Sequence, residues 1–337
     1  GLTTLLDSRL AIIATANKEL GLPGVSASVL NLKDKAWVNE IIPEYIPASL
    51  GIEWQVTPEK TIEDFIAASG AAKYIAKPGL TAGAIGTFTF QSFDEFKEKI
   101  SLAIEKIPDY LNPNQYIIQE FFDGELVSIE GYACQNKVDF IGATKRFKYG
   151  NTEVQHKFPY QNDMGNTAYN KCKNVVSTLI DRADFNYGFF HIEFMVNGDE
   201  VRLIDANMGR PGGTNVMELI AFAYDVSPVK IFEHAISVAV LQKPVIENSF
   251  FDSPVREDVT GILYGLAESA RLLRFDLPDP ASSHHLAVNM GTVIPALGES
   301  NWSAIGTLTG KSEDVFDDLA KIKMITDKGE YGAVITK

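Results

Sequence analysis

Two acidic residues on neighbouring strand-like runs are the strongest chemical signal in the sequence. Glu193 lies in the run 191–196, Asp205 ends the run 201–205, and Asn207 follows two residues later. Two carboxylates about 4 Å apart repel by about 1–4 kcal/mol, so they need a cation between them or a raised pKa. Carboxylate and amide oxygens suit Mg²⁺ or Mn²⁺ better than Zn²⁺. The three residues therefore predict a metal site, the alternative being solvated charges on an exposed hairpin.

The turn between the two runs decides whether the carboxylates share a face. Asn197-Gly198 is a hairpin signal. A two-residue turn there would pair Glu193 with Arg202 and put Asp205 on the opposite face of the sheet. A three-residue loop would bring both acids and Asn207 to one face. The sequence leaves both registers open.

A glycine-rich loop after a short apolar strand predicts a phosphate site. The strand 73–78 contains Lys77 near its end, and Gly79, Gly83 and Gly86 follow it. Glycines let backbone N–H groups approach a phosphate closely, and the lysine adds a positive charge. The loop has neither the Walker pattern nor G-x-G-x-x-G, so a flexible hairpin with an exposed lysine is the alternative.

Three further segments carry groups that fit the same chemistry. The run 119–125, Gln-Glu-Phe-Phe-Asp-Gly-Glu, leaves a strand and turns at Asp-Gly, which suits a hinge whose backbone pairs an adenine edge beside an aromatic wall. Lys145 and Arg146 are adjacent cations at the end of another strand, and Lys35 follows an aspartate near the start of a helix. Taken singly, these features also fit an ordinary strand–turn junction and solvated cations.

Hydrophobic periodicity supplies elements that would position these groups. Residues 73–122 predict a strand, loop, strand, helix and strand, with Ser92 and Glu95 as a capping box for the helix. Further strands are predicted over 126–133, 138–145, 188–196 and 200–207, and helices near 5–20, 33–42, 167–181, 214–222 and 227–240. The polar stretch 244–258 predicts a linker, and smaller strands and helices follow it. The class is mixed α+β or α/β.

Composition excludes several kinds of protein. The 337 residues are 45% hydrophobic and 22% charged, which is typical of a globular chain of two or three domains. The net charge of −14 argues against nucleic-acid or anionic-membrane partners. The two cysteines are too few for a disulfide framework, and no run approaches the roughly 20 apolar residues of a membrane span. We expect a cytoplasmic protein.

The order of the motifs resembles the ATP-grasp superfamily, most closely its carboxylate–amine ligases. The resemblance covers about residues 20–240 and implies the ATP-grasp fold, in which two α+β subdomains clasp the nucleotide. It implies a partial N-terminal domain over 1–60, a lid subdomain over 61–122, a metal-binding catalytic subdomain over 123–245, and a small C-terminal α+β subdomain over 246–337.

The resemblance also implies roles for single residues. The ATP-binding residues would be Lys35, Lys77, Gly83, Gly86, Gln119, Glu120, Phe121, Phe122 and Glu125. The lysines would neutralise the α- and β-phosphates, the glycine loop would close as a lid, and the hinge would receive the adenine. Leu126 stands where the family has a glutamate for the ribose, and Glu125 is the acid beside it.

The metal and catalytic groups follow from the same resemblance. Glu193, Asp205 and Asn207 would hold one or two Mg²⁺ (or Mn²⁺) ions that bridge the phosphates. Arg210 would meet the transferred phosphoryl group or the substrate carboxylate, and Lys145 would add charge on the phosphate side.

The activity implied is an ATP- and Mg²⁺-dependent ligation. A small carboxylate, such as an amino acid, attacks the γ-phosphate, and an amine captures the acyl phosphate to give an amide, ADP and phosphate. A carboxylase-type or phosphotransferase relative, or an ATP-binding subunit without turnover, is the alternative. Selectivity is expected from the segment 146–166, where the candidates are Lys148, Tyr149, His156 and Tyr160. Small-molecule carboxylate and amine substrates are the expected partners, and a homodimer is left open.

Overall fold

The computed structural model describes residues 1–81, 85–108, 112–299 and 303–336, except the side chain of Thr214. The α-helices of these ranges are α1 (Leu10–Leu20), α2 (Val29–Leu32), α3 (Lys35–Ile41), α4 (Glu59–Ser69), α5 (Phe93–Ile104), α6 (Asn166–Arg182), α7 (Thr214–Ala223), α8 (Pro228–Ile236) and α9 (Ser312–Lys321). Within the same ranges, no helix is long and apolar enough to cross a lipid bilayer.

A four-stranded antiparallel sheet forms the first layer. Its strands, in spatial order, are β1 (Ser49–Glu53), β4 (Gln115–Glu120), β2 (Tyr74–Pro78) and β3 (Phe88–Phe90). An aromatic core that includes Tyr74, Phe90 and Phe96 joins the sheet to α5. The prediction of a strand–loop–strand–helix–strand unit over 73–122 is confirmed.

The capping box predicted for α5 differs from the expected pattern in one of its two hydrogen bonds. The Ser92 hydroxyl accepts the Glu95 N–H at 3.3 Å, as expected. The Glu95 carboxylate, however, accepts the N–H of Gln91 at 2.7 Å, one residue before the N-cap. The helix therefore begins where the sequence predicts it.

An eight-stranded antiparallel sheet forms the largest layer. Its spatial order is β12 (Ser283–Leu286), β14 (Gly306–Lys311), β10 (Val259–Tyr264), β7 (Thr152–Phe158), β6 (Lys137–Tyr149), β5 (Glu125–Cys134), β8 (Tyr187–Asn197) and β9 (Glu200–Met208). Helix α6 packs on one face, where Val127 and Ile129 are buried against Val176. A second cluster joins Tyr132 and Phe158 to residues of α7 and α8.

The C-terminal segment contributes to two sheets. A further four-stranded sheet consists of β13 (Val293–Ile294), β11 (Ala270–Asp276), β15 (Lys323–Thr326) and β16 (Gly329–Gly332). Strands β10, β12 and β14 instead extend the large sheet across the boundary predicted at residue 245. The domain boundaries stay predictions.

The prediction of a linker over 244–258 is wrong. Phe251 is buried in the cluster of α7 and α8, and the Tyr224 hydroxyl donates to its carbonyl oxygen at 2.8 Å. Ile246 is buried in the same cluster, whereas Val245, Phe250 and Val255 are exposed. The polar composition of the segment gave no sign of these buried side chains. The segment packs against α7 and α8 and is not a linker.

Candidate active site

A β-bulge on the β8–β9 hairpin brings the two predicted metal carboxylates to one face. The turn pairs Asn197 with Glu200, and this register, continued regularly, would put Asp205 on the face opposite Glu193. Ile204 is an extra residue in β9, and it shifts the register so that Glu193 pairs with Asp205. Both registers predicted from the turn are therefore wrong, and the shared face comes from the bulge.

Polar contacts connect the residues that follow this pair. Asn207 Nδ2 donates to Asp205 Oδ2 at 3.2 Å, and Arg210 Nη2 donates to Asn207 Oδ1 at 3.0 Å. Arg210 Nε lies 3.4 Å from Asp7 Oδ1, and Lys33 binds the other oxygen of Asp7 at 2.8 Å. The structure thus brings the predicted arginine to the predicted metal residues.

Two lysines reach the same region from other elements. Lys35, at the start of α3, lies 3.5 Å from Asp205 Oδ1 and donates to the Thr81 carbonyl oxygen at 3.1 Å. Lys77, in β2, donates to the Ile204 carbonyl oxygen at 3.3 Å. Burial lowers the pKa of Lys77 to about 8, although the nearby Asp205 opposes this shift. A buried amine with one backbone partner favours an anion beside it.

A cavity of about 920 Å³ lies between the first sheet and the large sheet. This volume is at the upper end of the range typical of small-molecule sites. The residues predicted from the sequence that line it are Lys35, Lys77, Gln119, Glu120, Phe121, Phe122, Glu125, Lys145, Glu193 and Asp205. Gly83 lies outside the described residues.

Two backbone N–H groups of the predicted hinge already donate hydrogen bonds within the protein. The Glu120 N–H donates to the Ala48 carbonyl oxygen at 3.0 Å, and the Phe121 N–H donates to the Lys73 carbonyl oxygen at 2.9 Å. The Lys73 ammonium also lies 4.1 Å from the centre of the Phe121 ring. A hydrogen bond to adenine therefore cannot come from these two amides as they stand.

Lys145 and Glu125, which both line this cavity, bind each other. The Lys145 ammonium contacts the Glu125 carboxylate and the Tyr160 hydroxyl, which also donates to Glu125 at 2.6 Å. Arg146, the next residue along β6, contacts Glu193 instead. The catalytic role predicted for Lys145 and the nucleotide role predicted for Glu125 stay predictions.

Gly86 is the last glycine of the predicted phosphate loop, and it is not part of the lining of the cavity described above. Its φ is 72°, and an added Cβ would lie 2.7 Å from the Ile107 side chain. Its carbonyl oxygen accepts the Tyr116 hydroxyl at 3.2 Å. Both the backbone conformation and the close approach of Ile107 therefore favour glycine at this position.

A second, smaller cavity of about 270 Å³ adjoins the first. Lys35, Lys77, Glu193 and Asp205 line both cavities, so the predicted metal pair lies where the two meet. The polar side chains found in the lining of the smaller cavity but not in that of the larger one are Asp7, Lys33, Asn39, His156, His191, Asn207, Arg210 and Asn215.

Arg146 is the centre of a buried charge network beside this junction. Its guanidinium lies 2.5 Å from Glu193 Oε1, 3.2 Å from His191 Nε2 and in contact with Glu153. Burial raises the pKa of Glu193, but the attraction of Arg146 and His191 outweighs it and holds that pKa well below the usual range. Glu193 is therefore ionised at neutral pH.

Two histidines of the network differ in charge because their partners differ. Burial lowers the pKa of His191, but the Glu130 carboxylate beside it raises that pKa overall to about 9. Burial also lowers the pKa of His156, and here its hydrogen bond to Glu153 at 3.1 Å does not reverse the shift. At neutral pH His191 is cationic and His156 is neutral.

The selectivity segment is a hairpin end followed by a loop. Lys148 lines the larger cavity and His156, buried in β7, lines the smaller one. Tyr160 is buried beneath Lys145, and Tyr149 packs against Gly298. Of the four predicted candidates, two therefore face a cavity.

The sequence analysis missed Glu130 and Glu153 and gave no role to His191, and it marked Arg146 only as a cation adjacent to Lys145 that fits the phosphate chemistry. Strand alternation offered a signal for one of them, because His191 lies two residues before Glu193 and so points to the same face. No local pattern marked Glu130, whose neighbours across the sheet are 12 and 61 residues away in the chain.

The residues at the junction fit a magnesium ion that is shared with phosphates. In the described part of the chain, no three His, Cys, Asp or Glu side chains form a cluster that could hold a metal on their own. Mg²⁺ needs no such cluster, because it is usually bound by one or two carboxylates together with substrate phosphates and water. Glu193, Asp205 and the amide oxygen of Asn207 supply that kind of donor set.

Sequence comparison matches part of the chain to a family model. Residues 72–218 match the family model of the ATP-grasp domain. The chain contains an ATP-grasp domain. This domain contains β2, the predicted hinge, the network around Arg146 and both carboxylates predicted to bind metal. No curated protein matches the sequence.

Several solved structures resemble nearly the whole chain, including the parts outside the ATP-grasp domain. The biotin carboxylase domain of Hydrogenobacter thermophilus 2-oxoglutarate carboxylase, in complex with MgADP, ADP and bicarbonate, superposes with a TM-score of 0.74 at 12% identity, over 98% of this chain and 75% of that one. The L-amino acid ligase of Bacillus licheniformis gives 0.72 at 16%, over 96% and 80%. Phosphoribosylglycinamide synthetase of Anaerococcus prevotii gives 0.67 at 16%, over 96% and 81%. The predicted ATP-grasp fold is confirmed.

Proposed function

We propose that the chain is an ATP- and Mg²⁺-dependent, ADP-forming ligase that joins a small carboxylate to an amine. The observation that carries this proposal is the junction of two cavities at Glu193 and Asp205. The larger cavity has the volume of a nucleotide site, and the smaller one is polar and compact. A phosphoryl group at the junction would be within reach of ligands in both.

The cations at the junction support phosphoryl transfer. Lys77 and Lys35 approach the metal pair from the first sheet and from α3. Fixed positive groups that surround a phosphoryl group stabilise the charge that develops during transfer. Mg²⁺, held by Glu193, Asp205 and Asn207, would neutralise part of that charge. Arg210, linked to Asn207, would orient the attacking carboxylate on the other side.

The smaller cavity favours a substrate that carries both a positive and a negative charge. Its lining contains the acids Asp7 and Glu153 and the cations Arg146 and Arg210. Such a mixture can pair with the ammonium and the carboxylate of an amino acid, and charge-assisted hydrogen bonds of this kind are the strong ones. We propose an amino acid as the activated carboxylate. Resemblance to a structure named as an L-amino acid ligase supports this choice.

The decisive experiment is a product assay. The protein is incubated with Mg·ATP and the twenty standard L-amino acids, singly and in pairs, and ADP, phosphate, AMP and pyrophosphate are measured. We expect amino-acid-dependent release of ADP and phosphate. Glu193→Gln should abolish it, whereas Glu200→Gln, a matched change at an exposed site on the same hairpin, should not. Release of AMP and pyrophosphate, or no turnover with any pair, would contradict the proposal.

A carboxylase-type reaction is the second candidate. It is favoured by the TM-score of 0.74 with a biotin carboxylase domain whose complex contains bicarbonate. Adding bicarbonate without any amino acid separates the two reactions, because only a carboxylase-type enzyme would then release phosphate from ATP.

A further inference from the structure

Glu130 is a buried carboxylate that belongs to neither cavity. It is 2% exposed and lies in β5, behind the junction. His191 Nδ1 donates to its two oxygens at 2.8 and 2.9 Å, and the Ser128 hydroxyl donates at 2.8 Å. A ligand in either cavity therefore has no direct contact with Glu130.

Stability alone does not account for a carboxylate in this place. Removing a charge from water is costly, and replacing a buried ion pair by well-packed hydrophobic residues of similar volume is often neutral or stabilising.

The contacts of His191 continue from Glu130 to the predicted metal ligand. Its other ring nitrogen, Nε2, lies 3.5 Å from Glu193 Oε1 and 3.2 Å from the Arg146 guanidinium. Arg146 contacts that same oxygen of Glu193 at 2.5 Å. Glu193 Oε1 is thus held by Arg146 and His191, and neither of these contacts engages Oε2, the oxygen that we take as the cation ligand.

We propose that Glu130 is a positioning residue for the metal site, acting through His191 to fix the carboxylate of Glu193. The inference rests on the proposed function in one respect, because it takes Glu193 as a ligand of the metal that accompanies the nucleotide. Residues that orient a metal ligand from behind typically change metal affinity by about 10–100-fold when they are replaced.

The test measures metal binding directly and needs no substrate. Mn²⁺ binding to the ADP-loaded protein is followed by electron paramagnetic resonance in the wild type and in Glu130→Gln, which keeps the side chain's size and removes its charge. We expect Mn²⁺ to bind the variant at least about tenfold more weakly. The affinity for ADP in the presence of EDTA should stay unchanged, because Glu130 touches neither cavity.

Asp318→Asn provides the matched control. Asp318 is also a fully buried carboxylate, bound to the amide and hydroxyl of Ser282 at 2.8 Å, but it lies on α9. This change should lower the melting temperature without altering Mn²⁺ affinity. An equal loss of Mn²⁺ affinity in both variants would show a general effect of destabilisation and would overturn the inference.

The remaining outcomes separate this inference from the proposed function. If the wild type does not bind Mn²⁺ with ADP, the metal site and the inference both fail. If the wild type binds and Glu130→Gln binds equally well, the inference alone fails. Should Glu130→Gln not fold, Ser128→Ala removes one hydrogen bond from Glu130 and should weaken Mn²⁺ binding about two- to fivefold. Unchanged affinity in that variant would overturn the inference.

Discussion

The positive charge of Lys77 should contribute a measurable share of the nucleotide affinity. The side chain lines the larger cavity, and its ammonium has the Ile204 carbonyl oxygen as a partner at 3.3 Å. Lys77→Met keeps the apolar stem and removes the charge. A lost charge-assisted hydrogen bond costs about 1.5–3 kcal/mol. At about 1.4 kcal/mol for each factor of ten, we expect Mg·ATP to bind about 10–150-fold more weakly.

Lys77→Met should not lower the stability of the protein, although it should weaken nucleotide binding. Burial lowers the pKa of Lys77 to about 8, which means that the folded protein holds this charge at a cost. Methionine removes that cost, so the variant should melt no lower than the wild type. A loss of affinity without a loss of stability would separate a binding role from a structural one.

Isothermal titration with a non-hydrolysable ATP analogue measures the effect. Adenosine, which has no phosphates, should bind Lys77→Met and the wild type equally. Lys60→Met, on the exposed surface of α4, is the matched control and should leave both affinities unchanged. Unchanged affinity for the ATP analogue in Lys77→Met would refute the phosphate role, as would an equal loss in Lys60→Met.

Three further predictions follow from the same geometry. Because the pKa of Lys77 is about 8 in the free protein and phosphates favour its charged form, ATP binding at about pH 9 should take up about 0.9 proton, and affinity should fall as pH rises above 8. Titrations in two buffers of different ionisation enthalpy measure this uptake, and its persistence in Lys77→Met would contradict the assignment. Glu193→Gln should weaken Mn²⁺ binding about tenfold or more while circular dichroism shows an intact fold. Gly86→Ala should destabilise the protein by about 1–3 kcal/mol and by more than Gly70→Ala, where φ is also positive (63°) but an added Cβ has open space; equal melting temperatures would refute the role of the Ile107 contact.

Local patterns were sufficient for the elements that carry the site. The unit over 73–122 follows from apolar periodicity and from Ser92 as an N-cap, both of which act within one or two helical turns. Helix α1 ends at Leu20 as predicted, followed by Gly21 with φ of 61°, but it begins at Leu10 and not near residue 5. The apolar residues before it, Leu5 and Leu6, are largely exposed, so an apolar run alone overestimated the helix.

Only the tertiary structure decided how the charged groups meet. The face shared by Glu193 and Asp205 depends on the extra residue Ile204, and no turn residue specifies such a bulge. The contact of Glu130 with His191 joins residues 61 positions apart. The sequence alone determines the elements that depend on residue type and short-range periodicity, because these act through neighbouring backbone groups. Which buried charges become partners depends on strand order and register across the large sheet, and these are set by packing between elements that are distant in the chain.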